Sequence, residues 1–124
     1  MPFHLATAPR ILLLEDEAPV ALLLEDMLEE AGCVVAASVA RIDEALKRIE
    51  AERFDAAILD VNIGGETSWE VADALRRQGV PFVFSTGYGS AGMKPEFRSS
   101  PVLQKPFGAD DLERALRRLF IAAV

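Results

Sequence analysis

Cysteine and histidine are nearly absent, with Cys33 and His4 each the only residue of its kind. A lone cysteine cannot close an internal disulfide, which fits a reduced, cytoplasmic setting. Opening the stretch "CVVAAS", Cys33 is expected to be a small apolar core residue. One histidine and one cysteine cannot assemble a zinc site, a Ser-His-Asp triad or a Cys-His pair. His4 lies in residues 1–8, which read as a flexible tail. Basic residues are also scarce: 13 Lys and Arg stand against 20 Asp and Glu, for a net charge of −7. That balance repels phosphate backbones and anionic lipid, so neither nucleic acid nor a membrane surface is expected as a partner. No stretch approaches the roughly 18 apolar residues that a membrane span needs. No basic segment followed by a long apolar run marks a signal peptide. Internal repeats, low-complexity tracts and long linkers are missing too.

What is present is a core. Half of the 124 residues are apolar (51%) and 27% are charged, a composition that excludes disorder and suits one domain over 1–124. The period of the apolar pattern alternates along the chain. "RILLLE" (10–15), "CVVAAS" (33–38), "DAAILD" (55–60), "PFVFST" (81–86) and "PVLQ" (101–104) read as strands. Between them, Val20, Leu23, Leu24, Met27, Leu28 and Ala31 recur at helical spacing, and Gly32 supplies a stop. Ile42, Ala45, Leu46 and Ile49 mark one face of a helix over 41–52. A third helix runs over 69–77 with Thr67 or Ser68 as its N-cap. A fourth is due after "PFVFST", but three glycines and Pro95 oppose it, so only a short, poorly held helix is expected over 93–98. "ADDLERALRRLFIA" (109–122) reads as the last, with acids early and arginines late.

Continuous apolar strands alternating with amphipathic helices specify a parallel sheet covered on both faces. The expected fold is therefore α/β, a doubly wound, flavodoxin-like three-layer domain with five strands in the order 2-1-3-4-5. In such a sheet, ligands sit beyond the carboxyl ends of the strands where the order reverses. Glu15 and Asp16 end the first strand, Asp60 the third, Thr86 the fourth, and Lys105 follows the fifth. One sheet edge thus carries, side by side, an acid pair, an acid, a hydroxyl and an amine. Two carboxylates about 4 Å apart repel by about 4 kcal/mol at an effective dielectric near 20, so neutralising charge is required. Hard oxygen donors suit Mg²⁺, and Lys105 adds a further positive charge. An aspartate so held is equipped to attack an electrophilic phosphorus.

"LLLEDE", Asp60 after "AAIL", "FST" and "QKPF" together resemble the signature of the receiver domain of two-component response regulators, over nearly the whole chain. The resemblance implies that Asp60 is the phosphoacceptor, supplied by a sensor histidine kinase or a phosphotransfer protein. It implies that Asp16, Asp60 and the backbone carbonyl of Asn62 bind Mg²⁺, with Glu15 acting through a metal-bound water. Thr86 would hydrogen-bond the aspartyl phosphate, Lys105 would pair with a phosphate oxygen, and the Lys105–Pro106 bond would be cis. A downstream protein would dock on the face formed by the fourth helix, fifth strand and fifth helix. The protein would not be an enzyme: its own phosphorylation and dephosphorylation would be its only chemistry. With the chain ending after its last helix, output is expected by protein contact or by service as a phosphate sink.

Three departures stand out. The acid pair is Glu15-Asp16 rather than two aspartates. The proline usual after the phosphoacceptor is replaced by Gly64-Gly65, which implies a more flexible loop. The aromatic switch residue of the fifth strand is here Val102. "PFVFSTGYG" resembles a subgroup of stand-alone receivers with a Phe-Ala-Thr-Gly…Tyr motif, associated with an alphaproteobacterial-type family of histidine kinases; Ser85 replaces its alanine. Tyr88 is the candidate to take over switching together with Thr86, and the glycine-rich segment 87–95 is expected to order on phosphorylation.

Other classes fit less well. An aspartate-nucleophile phosphatase wants a second aspartate where Asn62 stands, and a substrate cap for which there is no room. A flavodoxin-like carrier needs hydroxyl and glycine donors in its first loop, but "LEDEAP" is acidic and would repel flavin phosphate. The remaining alternative is a receiver-like binding module that is not phosphorylated, and the retention of Asp16, Asp60, Thr86 and Lys105 speaks against it.

Overall fold

The computed structural model describes residues 8–87 and 92–122. It contains β1 (Arg10–Leu14), α1 (Ala18–Glu30), β2 (Val34–Val39), α2 (Ile42–Ala51), β3 (Ala56–Asp60), β4 (Asn62–Ile63), β5 (Glu66–Thr67), α3 (Trp69–Arg77), β6 (Phe82–Thr86), β7 (Val102–Gln104) and α4 (Ala109–Ala122). Five parallel strands form one sheet in the order β2-β1-β3-β6-β7. This is the expected doubly wound order, with β6 and β7 as its fourth and fifth strands. Every residue of β3 and β6 is buried, as strands covered on both faces must be.

Alternation along the strands separates two cores. Leu12, Leu14, Leu59, Phe82 and Phe84 face α2 and α3. Ile11, Leu13, Ile58, Val83 and Leu103 face α1 and α4. Cys33 lies in the second core, and burial pushes its thiol up to about 11. In α1 the buried stripe is Ala21, Leu24 and Leu28, with Val20, Met27 and Ala31 along its margins. Leu23, expected in the core, is instead 59% exposed. The run Leu22–Leu24 allows several helical frames, and packing against the sheet selects the one that buries Leu24.

The chain after β3 differs from expectation. Asn62–Ile63 and Glu66–Thr67 pair as a small antiparallel ribbon. Gly64 and Gly65 close it with φ of +58° and +86°. Consecutive positive φ values are what a two-residue hairpin turn demands, and Gly-Gly supplies them without side-chain strain. The glycines therefore build an ordered turn rather than a loosened loop. Ser68 holds the N-cap position of α3, but neither it nor Thr67 caps the helix through its side chain: Ser68 has φ −93° and ψ 18°, and its hydroxyl is buried without a partner. Glu17 likewise precedes α1 without a side-chain cap.

Where a short helix was expected over 93–98 there is a single 3-10 turn, Pro95–Phe97. It is nonetheless firmly anchored. Phe97 is fully buried, stacks on Trp69 at 5.4 Å and meets Phe84 edge-on at 5.4 Å. The Arg76 guanidinium sits 4.5 Å from the Phe97 ring centre. Val102 packs against this aromatic group. Tyr88 and residues 1–7 lie outside the described residues, and segment 87–95 is described only in part. No helix among the described residues is long and apolar enough to cross a membrane.

Candidate functional site

The strand order brings the ends of β1 and β3 together, with β6 and β7 following. Glu15 and Asp16 leave β1, Asp60 ends β3, Thr86 ends β6, and Lys105 follows β7. Carboxylate oxygens of Glu15, Asp16 and Asp60 all lie within 4.8 Å of one another. Glu15 and Asp60 are buried at 3% and 8% exposure, whereas Asp16 faces solvent.

Lys105 ties the group together. Its Nζ donates to Glu15 Oε1 at 3.0 Å and to Asp60 Oδ2 at 3.1 Å. The Lys105–Pro106 bond that follows is cis, as the resemblance implied. Backbone amides supply the other donors. Glu17 N–H donates to Glu15 Oε2 at 3.1 Å, Gly64 N–H to Asp16 Oδ2 at 3.0 Å, and Asn62 N–H to Asp60 Oδ1 at 3.4 Å. The hairpin thus holds Asp16 in place. That contact is not foreseen from the sequence, although the Gly64-Gly65 pair is the available signal for a two-residue hairpin turn.

One ammonium faces three carboxylates, so the cluster retains an excess of negative charge. Burial raises the Asp60 carboxyl from 3.8 to about 6; the Lys105 hydrogen bond pulls it down, and the charge of Glu15 pushes it up again. The Lys105 ammonium is raised above its ordinary value, the two carboxylates outweighing the opposing effect of its burial. A hard divalent cation with several retained waters fits this all-oxygen donor set and its charge deficit. Asp16 offers an exposed carboxylate to it, while both oxygens of Glu15 are already engaged by donors.

Thr86 is buried at 4% exposure, and its carbonyl accepts from Lys105 N–H at 2.8 Å. Asn62 is exposed beside Asp60 on the first strand of the hairpin. Arg114, Arg117 and Arg118 are exposed on α4; Arg114 pairs with Asp111 and Arg117 with Glu113. An apolar groove lined by Val20, Leu23, Leu24, Met27, Pro106 and Phe107 reaches Lys105 from the α1 side.

Comparison with known proteins places this arrangement. The family described as the response regulator receiver domain matches residues 11–117. The transcriptional regulatory protein TcrA of Mycobacterium tuberculosis is 36% identical over 117 residues, covering 89% of this chain and 45% of TcrA. The chain spans about half the length of the curated relatives it matches. The solution structure of SdrG from Sphingomonas melonis Fr1 superposes with a TM-score of 0.83 at 44% identity, covering 94% of this chain and 99% of SdrG. The response regulator protein TrrA from Thermotoga maritima, solved in complex with Mg²⁺-BeF, has a TM-score of 0.77 at 27% identity over 90% of this chain and 98% of TrrA. With this family matching nearly the whole folded chain, the chain belongs to the receiver domain family of the response regulators, the phosphoacceptors of two-component signalling.

Proposed function

We propose that this protein is a single-domain response regulator that accepts a phosphoryl group on Asp60 in a Mg²⁺-dependent reaction. The observation that carries the reading is the Lys105 ammonium bridging Asp60 and Glu15 at the buried strand ends. The likeness to SdrG over 99% of that chain supports the single-domain form. Asp16, Asp60 and the carbonyl of Asn62 would hold Mg²⁺ directly, and Glu15 through water. The bound cation would neutralise the surplus carboxylate charge and the charge developing on the transferring phosphoryl oxygens.

The chain's own residues do the rest. A sensor histidine kinase or phosphotransfer protein presents its phosphohistidine to the sheet edge, and the apolar groove beside Lys105 lies along that approach. An Asp60 oxygen forms a bond to phosphorus as the phosphorus–nitrogen bond breaks, and the departing imidazole keeps the electron pair. Lys105 follows the charge onto a phosphoryl oxygen. Thr86 hydrogen-bonds another, and Tyr88 serves with it as the switch residue in place of the aromatic that Val102 replaces. Output then passes by contact with a downstream protein at the face of the Pro95–Phe97 turn, β7 and α4, or the domain serves as a phosphate sink.

The test is intact-mass measurement after incubation with acetyl phosphate, with and without Mg²⁺, beside Asp60→Ala. A Mg²⁺-dependent gain of one phosphoryl group, lost in the variant, is expected. Absence of both that adduct and a beryllofluoride complex would overturn the reading and leave an unphosphorylated binding module.

A further inference from the structure

Ser85 precedes Thr86 near the end of β6, between β3 and β7. It is 1% exposed, and its hydroxyl has no hydrogen-bond partner. Ser85 is in register with Asp60 on one side and Leu103 on the other. Paired residues of parallel strands project to the same face, and Val83 and Leu103 both lie in the core beneath α1 and α4. The Ser85 hydroxyl therefore projects to the face that carries the Asp60 carboxylate. Lys105, two residues beyond Leu103, reaches Asp60 on β3 and Glu15 beyond it. To do so its side chain must cross β6, and the β6 residue at the level of Asp60 is Ser85.

A buried hydroxyl without a partner is a standing penalty, and alanine would fill the same space without it. The Lys105 ammonium has three donors, two of them spent on Glu15 and Asp60. We propose that Ser85 is a positioning residue for Lys105: its hydroxyl accepts a hydrogen bond from the ammonium when Asp60 carries a phosphoryl group, holding Nζ above β6 against a phosphoryl oxygen. The inference rests on Asp60 being the phosphoacceptor. In the resting protein the hydroxyl waits unpaired on the path that Lys105 takes.

The test compares the wild-type chain with Ser85→Ala. The rate of phosphorylation by acetyl phosphate is measured in Mg²⁺, and the Lys105 side-chain ammonium is followed by ¹⁵N NMR in the resting protein and in the Mg²⁺–beryllofluoride complex. The variant is expected to melt no lower than wild type and to phosphorylate about tenfold more slowly, the loss of one hydrogen bond to a charged group. Its Lys105 signal should match wild type at rest and differ in the beryllofluoride complex. An unchanged rate with an unchanged complex signal overturns the proposal. A signal already displaced to the same extent at rest overturns it in favour of a structural role. Failure of the wild type itself to take phosphate or beryllofluoride overturns the Asp60 reading and this inference with it.

Discussion

Replacing Asp60 by Asn should stabilise the resting protein. Burial raises the Asp60 carboxyl from 3.8 to about 6, so the ionised form is held against its preference at neutral pH. About two units at about 1.4 kcal/mol each give about 3 kcal/mol for a wholly dry site. Water reaches the site from the strand ends, and Lys105 also loses a partner, so about 1–2 kcal/mol is the expected gain. For a domain of this size that raises Tm by about 3–10 °C. The sign can be checked through pH. The native state keeps the Asp60 proton up to about 6, whereas the unfolded chain releases it near 3.8. Wild-type stability therefore falls as pH rises across that window, and the loss is complete above it. The advantage of Asp60→Asn should be absent at the acid end, grow between the two values and stay level from pH 7 upward. Thermal melts in EDTA at several pH values measure this, always as variant minus wild type so that other carboxylates cancel. Mg²⁺ should shrink the gap, because a bound cation supplies the missing charge to wild type. A variant no more stable than wild type at pH 7.5, or an advantage that ignores pH, would refute the electrostatic account.

Other expectations concern the elements that present the site. Gly65→Ala forces a side chain onto a residue at φ +86° with nothing near the new Cβ, so its cost of about 1–2 kcal/mol is purely conformational; Gly64→Asn at φ +58° should cost under about 0.5 kcal/mol, and urea denaturation separates the two. Leu28→Ala empties a fully buried position and should cost about 2–5 kcal/mol. Leu23→Ala, at a position 59% exposed, should stay within about 0.5 kcal/mol, and equal losses at the two positions would show that α1 is rotated.

The sheet was legible because its signal is long-ranged in sequence and simple. Continuous apolar runs such as Ile11–Leu14 and Ala56–Leu59 can be buried only in a sheet covered on both sides, and the reversal of strand order then fixes which ends become neighbours. Glu15, Asp16, Asp60, Thr86 and Lys105 thereby fall at one edge, where the structure has them. The segments read less well are those decided by local competition. Leu22, Leu23 and Leu24 are equally apolar, so composition could not choose which of them faces the sheet. Pro95 and its glycine neighbours weaken a helix, and a 3-10 turn stands where a short helix is expected, but nothing local announces that Phe97 is clamped between Trp69, Phe84 and Arg76 from distant elements. For the same reason the sequence suggests a cap at Thr67 or Ser68, but the backbone arriving from the hairpin does not present the Ser68 hydroxyl to the helix amides.

Among the described residues, the buried polar groups left unsatisfied gather near the end of β3. The two buried hydroxyls found without partners among the described residues are Ser85, level with Asp60, and Ser68, whose N–H donates to the carbonyl of Val61, the residue after Asp60. The carboxyl raised by burial is Asp60 itself, in a cluster with more negative charge than Lys105 can balance. A sequence selected for stability alone would replace Asp60 by Asn and Ser85 by Ala, and both changes should be tolerated by the fold. Natural domains depart from local consistency mainly where function requires it. In the function proposed above, the surplus charge around Asp60 is what a divalent cation would neutralise, so binding would relieve at this edge the penalty that the resting protein carries.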